Sequence, residues 1–184
     1  MGTYFKRYAC CRYIHPALDA WQRQFGNGAI DVDQIERIEV ETFGWALKLA
    51  NKTHPQTPVD VQFSLPYCLA LTILYGPQVL VALEGHHLDN ARAQNLATKI
   101  TLRVCPELDR KFPDRTLAQL RVVTSTGLSF SSAACVEPIA LGHDEIVEKL
   151  CTIAVGKISN ERCQALVRVL SPTSPNLGQL HTLL

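Results

Sequence analysis

The densest group of chemistry-bearing residues is the stretch FKRYACCRYIHP near the start of the sequence. It contains three permanent cations, Lys6, Arg7 and Arg12. His15 follows them directly before a predicted helix, and a helix N-terminus itself attracts anions. Arginine grips a carboxylate with two donors and lysine acts as a point charge, so this composition suits a substrate that carries carboxylates. A simpler interpretation stays open, in which the cations are surface charges and His15 makes a helical contact with Asp19.

A second stretch, FSLPYCLA, places a tyrosine at the start of an apolar helix. Ser64 can cap this helix and Pro66 suits its first turn, while Gly76-Pro77 predicts its end. The helix is apolar on nearly every side, so it is either buried all round or meets another domain. Tyr67 lies in its first turn, where the hydroxyl needs a partner or a ligand. The alternative is a core tyrosine whose tip reaches the surface.

The amino-acid composition excludes several classes of protein. Lysine and arginine number 18 against 17 aspartate and glutamate residues, and this balance argues against a nucleic-acid binder, which normally has a basic excess. A hydrophobic fraction of 47% is enough to form a core. No apolar run reaches the ~20 residues of a membrane span, and the start does not resemble a signal peptide. We therefore expect a soluble, cytoplasmic protein that binds neither nucleic acid nor membrane.

Cysteine and histidine spacing gives no sign of a metal site. The seven cysteines include no C-x-x-C pair, and the six histidines form no H-x-x-x-H pair. Cys68, Cys151 and Cys163 lie among apolar residues of predicted helices, where free cysteine behaves as a small buried hydrophobe. The sequence therefore predicts a protein without a bound metal.

The order of elements predicts an α+β fold. Alternating apolar and polar residues indicate strands near residues 38–43, 98–105, 117–125 and 128–135, with a hairpin turn at Ser125-Thr126-Gly127. We expect residues 5–136 to form an α+β unit: a small, mostly antiparallel sheet with a helical layer on one face. Residues 137–184 form a helical segment, with helices at 144–155 and 161–170 whose apolar positions need a packing partner.

The stretches FKRYACCRYIHP and FSLPYCLA together resemble motifs of the MmgE/PrpD family, which includes 2-methylcitrate dehydratase. Residues 5–20, FKRYACCRYIHPALDA, are similar to the family's lysine-led motif that ends in H-x-x-x-D-A. Residues 63–70 resemble its F-S-x-x-Y-x-x-A helix start. Weaker similarities are NLATKI, the Phe112-Pro113 pair and the acidic helix leading to Lys149-Leu150. The similarity follows the family's order nearly from end to end.

The resemblance implies a metal-free lyase or isomerase that acts on a small polycarboxylate and needs no cofactor. Such an enzyme removes a proton next to a carboxylate, which requires a general base and cations to hold the developing negative charge. Carried over by position, Lys6 and Tyr67 are the catalytic residues. Arg12 and His15 are substrate-binding residues, with His15 the more structural of the two. We also expect the protein to form a homo-oligomer, specifically a homodimer.

Family members carry a large helical domain ahead of the lysine motif, and it supplies further catalytic residues. Only five residues precede Lys6 here, so we expect that domain to be absent and the C-terminal helices to lack their packing partner. The leading hypothesis is the C-terminal portion of a dehydratase-type lyase, inactive without a separate helical-domain polypeptide. The alternatives are a non-catalytic carboxylate-binding or assembly module with the same fold, and an unrelated scaffold.

Overall fold

The alternation of apolar and charged residues that begins near Ile38 belongs to a central strand of a four-stranded sheet. The computed structural model describes residues 5–26, 28, 30–83, 85–133 and 141–169. Ile38 and Val40 are fully buried, whereas Glu39 and Glu41 between and after them are partly exposed, so the strand has one core face and one wet face. The strands are β1 (Ile35–Thr42), β2 (Ile100–Val104), β3 (Ala118–Thr124) and β4 (Ser129–Ser131), in the spatial order β2-β1-β3-β4.

The α+β class is confirmed, but the sheet is mixed rather than mostly antiparallel. β1 runs parallel to β2, with Ile38 beside Ile100, and antiparallel to β3, with Val40 opposite Leu120. β3 and β4 form the predicted hairpin, whose Gly127 has a φ of 81°. A parallel pair requires a crossover connection, and the long helical segment between β1 and β2 supplies one. The sequence pattern of each strand does not specify whether it runs parallel or antiparallel to its neighbour.

Helices cover the buried face of the sheet. α1 contacts β3 and α4, and α4 also contacts α5 and β2. All residues from Leu65 to Ile73 are buried, which explains why this helix is apolar on every side. The helices of this part of the chain are α1 (His15–Phe25), α2 (Gly44–Leu47), α3 (Pro58–Gln62), α4 (Leu65–Tyr75), α5 (Ala91–Thr98) and α6 (Pro106–Asp109).

The chain divides into two units, Tyr8–Ile139 and a smaller one of Met1–Arg7 with Ala140–Leu184. The smaller unit contains α7 (His143–Ala154) and α8 (Asn160–Val169). Their bounds differ by one residue from those of the predicted helices. The predicted boundary between residues 136 and 137 lies outside the described residues. Within the described ranges, no helix is both long and apolar enough to cross a membrane.

Candidate functional site

From Tyr8 onward, the first motif stretch lies beside the second within the larger unit. The backbone N–H of Ala9 donates to the carbonyl of Leu80 at 2.6 Å, and that of Cys11 donates to the carbonyl of Gln62 at 2.8 Å. These two bonds attach the first stretch to the segments on either side of α4. Between them, the Cys10 thiol hydrogen-bonds to Cys68 on α4. Residues that are more than 50 positions apart in sequence are thus brought together.

Cys68 is a buried structural thiol, as predicted. Its Sγ donates to the carbonyl of Val61 at 3.1 Å, and the side chain has no exposed surface. The hydrogen bond with Cys10 and the burial both raise the pKa of Cys68 well above its ordinary value. Because the thiolate is the reactive form of cysteine, this sulfur is poorly suited to nucleophilic chemistry.

Side-chain hydrogen bonds fix the start of α4. The Oγ of Ser64 accepts from the backbone N–H of Tyr67 at 3.2 Å, the predicted N-cap bond, and donates to the carbonyl of Lys52 at 2.6 Å. The side chain of Asn51 accepts from the N–H of Leu65 at 3.0 Å. The loop before α3 therefore determines where the first turn of α4, and with it Tyr67, lies.

The carboxylate of Asp60 accepts hydrogen bonds from the loop before α3. Because folding shifts the pKa of this carboxylate, the stability of the fold depends on pH. The hydrogen bond from Lys52, at 2.8 Å, and the bond from the backbone of Gln56 lower the pKa of Asp60 from 3.8 to about 2. The folded state therefore favours the charged form, and this contribution is complete above 3.8 and is lost as the pH falls through about 2.

We therefore expect Asp60→Asn to lower the free energy of unfolding at neutral pH. The difference from the unaltered chain should shrink as the pH falls below 3.8 and vanish near about 2. Urea unfolding across this pH range measures it. Lys52→Ala, which removes the partner that lowers the pKa of Asp60 most, should reproduce much of the effect. A difference between the unaltered chain and Asp60→Asn that stays constant down to the lowest pH would contradict the assignment.

Tyr67 is fully buried, and its hydroxyl faces backbone carbonyls. Its O–H lies 2.6 Å from the carbonyl oxygen of His87 and 3.2 Å from that of Leu88, so it donates to this short segment before α5. Burial raises the pKa of Tyr67 above its ordinary value of 10.0. The phenol therefore stays protonated at neutral pH, which suits a proton donor and not a general base.

His15 is the first residue of α1 and is 1% exposed. The ring of Tyr8 packs edge-on against it with centroids 5.0 Å apart, and the hydroxyl of Tyr8 donates to Asp19 at 2.7 Å. The Asp19 carboxylate is thus engaged by Tyr8, whereas the simpler sequence interpretation paired it with His15. Among the described residues, nothing hydrogen-bonds to the Nε2 of His15, which leaves a buried polar atom beside the motif.

Arg12 and Lys6 are both exposed, and they belong to different units. Arg12 begins the short 3-10 helix Arg12–Ile14 just before α1, in the larger unit. Lys6 belongs to the smaller unit with α7 and α8. The larger unit thus contains three of the four predicted site residues, Arg12, His15 and Tyr67. Their catalytic and binding roles stay predictions.

α7 holds the backbone that carries Lys6. The ammonium group of Lys149 donates to the carbonyl of Lys6 and, at 3.2 Å, to that of Arg7. The guanidinium of Arg7 pairs with Glu145 at 2.9 Å, while the backbone N–H of Gly142 donates to the other oxygen of Glu145. The bond from Gly142, followed by that from Arg7, lowers the pKa of Glu145. Glu145 and Lys149 thus tie the segment of Lys6 and Arg7 to α7.

The sequence reasoning did not assign a role to either of these two residues. Their only signal was the similarity of the acidic helix leading to Lys149-Leu150, which was noted without a function. The pairing joins residues more than 130 positions apart, so no local pattern could have predicted it.

A groove of about 370 Å³ lies elsewhere in the larger unit and contains none of the predicted site residues. It is lined in part by Leu74, Asn95 and two cations. Arg92 pairs with Asp33 at 2.9 Å, and Lys99 donates to the carbonyl of Ile35 at 2.7 Å. Among the described residues, no group of three or more His, Cys, Asp or Glu side chains could hold a metal ion.

A family model described as "MmgE/PrpD C-terminal domain" matches residues 8–171. The matched range includes Arg12, His15 and Tyr67, and Lys6 lies two residues before it. A search of curated proteins found no match.

Proposed function

This chain belongs to the MmgE/PrpD family, whose C-terminal domain it carries, and we propose that it supplies that domain's share of a lyase active site. The reaction class is a dehydration that begins with removal of a proton next to a carboxylate. The substrate class is a small polycarboxylate such as 2-methylcitrate. The observation that carries the proposal is the family match over residues 8–171, which covers the second motif stretch and the first from Tyr8 onward. These two parts pack against each other beside α4. A cytoplasmic homodimer is part of the same proposal.

The cations of the first stretch suit this substrate. Removing a proton next to a carboxylate leaves negative charge, and fixed cations stabilise that charge in the transition state. In the proposal, the guanidinium of Arg12 binds a substrate carboxylate, for which its planar donors are well shaped. Lys6 acts at the reacting centre, Lys149 donates to its backbone carbonyl, and Glu145 pairs with the side chain of the neighbouring Arg7. His15 supports the site from its buried position at the start of α1.

Tyr67 is the proposed proton donor. A dehydration expels a hydroxyl group, which leaves more easily as water after it receives a proton. The phenol of Tyr67 is protonated at neutral pH, since its pKa lies above 10.0, and so it carries a proton that it can donate. Because its hydroxyl already faces the carbonyls of His87 and Leu88, proton donation requires this segment to shift when the substrate binds.

The general base is not among these residues, and in the proposal it comes from the family's helical domain. The matched domain is the family's C-terminal one, and in the proposal a helical-domain polypeptide completes the site for turnover. In the experiments, the added partner is either a helical-domain polypeptide encoded next to this chain or the helical domain of a family dehydratase.

Lys6→Ala tests the proposed assignment. In the enzyme assembled with the helical-domain polypeptide, we expect this substitution to lower kcat by about 100-fold or more, because a charge-stabilising group is lost from the reacting centre. Lys157→Ala, an exposed lysine of the same unit, is the matched control and should leave kcat unchanged. Equal activity of the two variants would remove Lys6 from the mechanism.

The groove near Arg92 and Lys99 favours one second candidate, a non-catalytic carboxylate-binding module. Its two cations and Asn95 could hold a carboxylate without any contribution from the motif stretches. Calorimetric titration of the chain alone with citrate distinguishes the two. Binding that Arg92→Ala abolishes would support the module, and no heat of binding would rule it out.

A further inference from the structure

Two cysteines of the C-terminal helices form a close pair. Cys151 on α7 and Cys163 on α8 have their Sγ atoms 3.3 Å apart, and both are free thiols. The sequence predicts that each of them is a small buried hydrophobe of a helix, and it does not pair them. Their proximity arises only from the packing of α7 against α8.

The separation is close to that of a disulfide. An S–S bond is about 2.05 Å long, so the two sulfurs need to approach by little more than 1 Å, which is the scale of a small side-chain rotation. The residues that connect the two helices, 155–159, form a short turn. The thiols are thus held near each other by the fold, and no large rearrangement of the helices is needed to join them.

The two sulfurs differ in their access to reagents. Cys163 is 3% exposed, whereas Cys151 is half-buried. The hydrogen bond that Cys163 donates to Cys151, followed by burial, raises the pKa of Cys163, so its thiol stays protonated at neutral pH. Cys151 is therefore the sulfur that meets an oxidant first, and Cys163 is placed to react with the product.

We propose that Cys151 and Cys163 form an oxidation site at which a peroxide produces a disulfide between α7 and α8. In the first step the Cys151 sulfur attacks hydrogen peroxide, the O–O bond breaks, and a sulfenic acid and one water form. The Cys163 thiol then gives up its proton as its sulfur attacks the Cys151 sulfur, the S–O bond breaks, and the hydroxide leaves with that proton as a second water. Two thiols are oxidised and one peroxide is reduced, so atoms and electrons balance.

The other described cysteine pair lacks this asymmetry. Cys10 and Cys68 are also hydrogen-bonded to each other, but both are buried, so neither offers an oxidant a first point of attack. Cys105 is half-buried like Cys151 and serves as a matched control for accessibility.

Peptide mapping of the full chain tests the proposal. The chain is treated with an equimolar amount of hydrogen peroxide, its remaining thiols are alkylated, and it is digested with trypsin without reduction. Cleavage after Lys149, Lys157, Arg162 and Arg168 releases LCTIAVGK and CQALVR, each with a single cysteine. The expected result is one species that contains both peptides less two hydrogens, together with loss of two of the seven titratable thiols.

Single variants assign the two roles. Cys163→Ser should leave Cys151 as a sulfenic acid that dimedone labels, and Cys151→Ser should leave Cys163 reduced under the same treatment. Cys105→Ser should retain the linked peptide. The proposal is overturned if the linked peptide does not form, if either cysteine pairs with a different one instead, or if Cys163 is oxidised equally well without Cys151.

Discussion

Replacing Tyr67 with phenylalanine is expected to lower kcat of the enzyme assembled with a helical-domain polypeptide by about 100-fold or more. The substitution keeps the ring, which is fully buried in α4, and removes only the hydroxyl. If that hydroxyl donates the proton to the leaving group, phenylalanine has no group that can take its place. The expected loss is therefore in kcat, because the proton moves in the transition state and not on binding.

The same substitution also affects stability, and the two effects must be separated. The hydroxyl donates to the carbonyl of His87 in a part-buried hydrogen bond, and losing such a bond costs about 0.5–1.5 kcal/mol. Urea unfolding of the chain measures this loss, and kcat is then measured well below the temperature at which Tyr67→Phe unfolds. A purely structural tyrosine would show the loss of stability with a nearly unchanged kcat in the folded enzyme.

Tyr75→Phe is the matched control for this experiment. Tyr75 lies on the same helix, but it is 48% exposed and its hydroxyl accepts from the side chain of Asn90 at 2.8 Å. We expect little change in kcat and little change in the free energy of unfolding. Equal kcat values for Tyr67→Phe and Tyr75→Phe would contradict a catalytic role for Tyr67.

Leu69→Ala should lower the free energy of unfolding by about 3 kcal/mol. Leu69 has no exposed surface and lies in the middle of α4, which packs against α1 and α5. Truncation removes apolar surface from the core and leaves a cavity that its neighbours fill only partly, so both terms reduce stability. Urea or guanidinium unfolding measures the change.

Val59→Ala provides the comparison for Leu69. Val59 is 59% exposed on α3, and its truncation should change the free energy of unfolding by less than about 0.5 kcal/mol. A cost below about 1 kcal/mol for Leu69→Ala would mean that α4 does not belong to a close-packed core in solution. Because Tyr67 is on the same helix, that result would also undermine the geometry described for it.

Local chemistry made much of the fold predictable. The cap at Ser64, the stop at Gly76 and the hairpin glycine Gly127 are set by residues within a few positions of each other. Gly76 and Gly127 have positive φ values of 82° and 81°, which glycine adopts without strain. Patterns of this kind depend on nearest neighbours in the chain, so a single sequence displays them.

What was not predictable depends on distant contacts. The parallel pairing of β1 with β2 follows from how the long segment between them crosses the sheet, and neither strand's own pattern encodes it. Very short helices such as α2 and α6, with four residues each, contain less than two turns of periodic signal. The bonds from Lys149 to the backbone near Lys6 also join distant parts of the chain.

The candidate site was predictable in part for the same reason. Both motif stretches were visible as sequence, and the structure packs them together through Cys10 and Cys68. The burial of the Tyr67 hydroxyl against His87 and Leu88 was not visible, because the segment that covers it comes from 20 residues later in the chain. The choice of Tyr67 as a catalytic residue comes from the family resemblance, and its proposed role as a proton donor stays a prediction.

Turnover of 2-methylcitrate by the unaltered chain, measured alone and with the helical-domain polypeptide, tests the central claim most directly. We expect no dehydration by the purified 184-residue chain and measurable dehydration once the polypeptide is added, because the general base is then present. Dehydration by the purified chain alone, at a rate that the helical-domain polypeptide does not increase, would contradict the account.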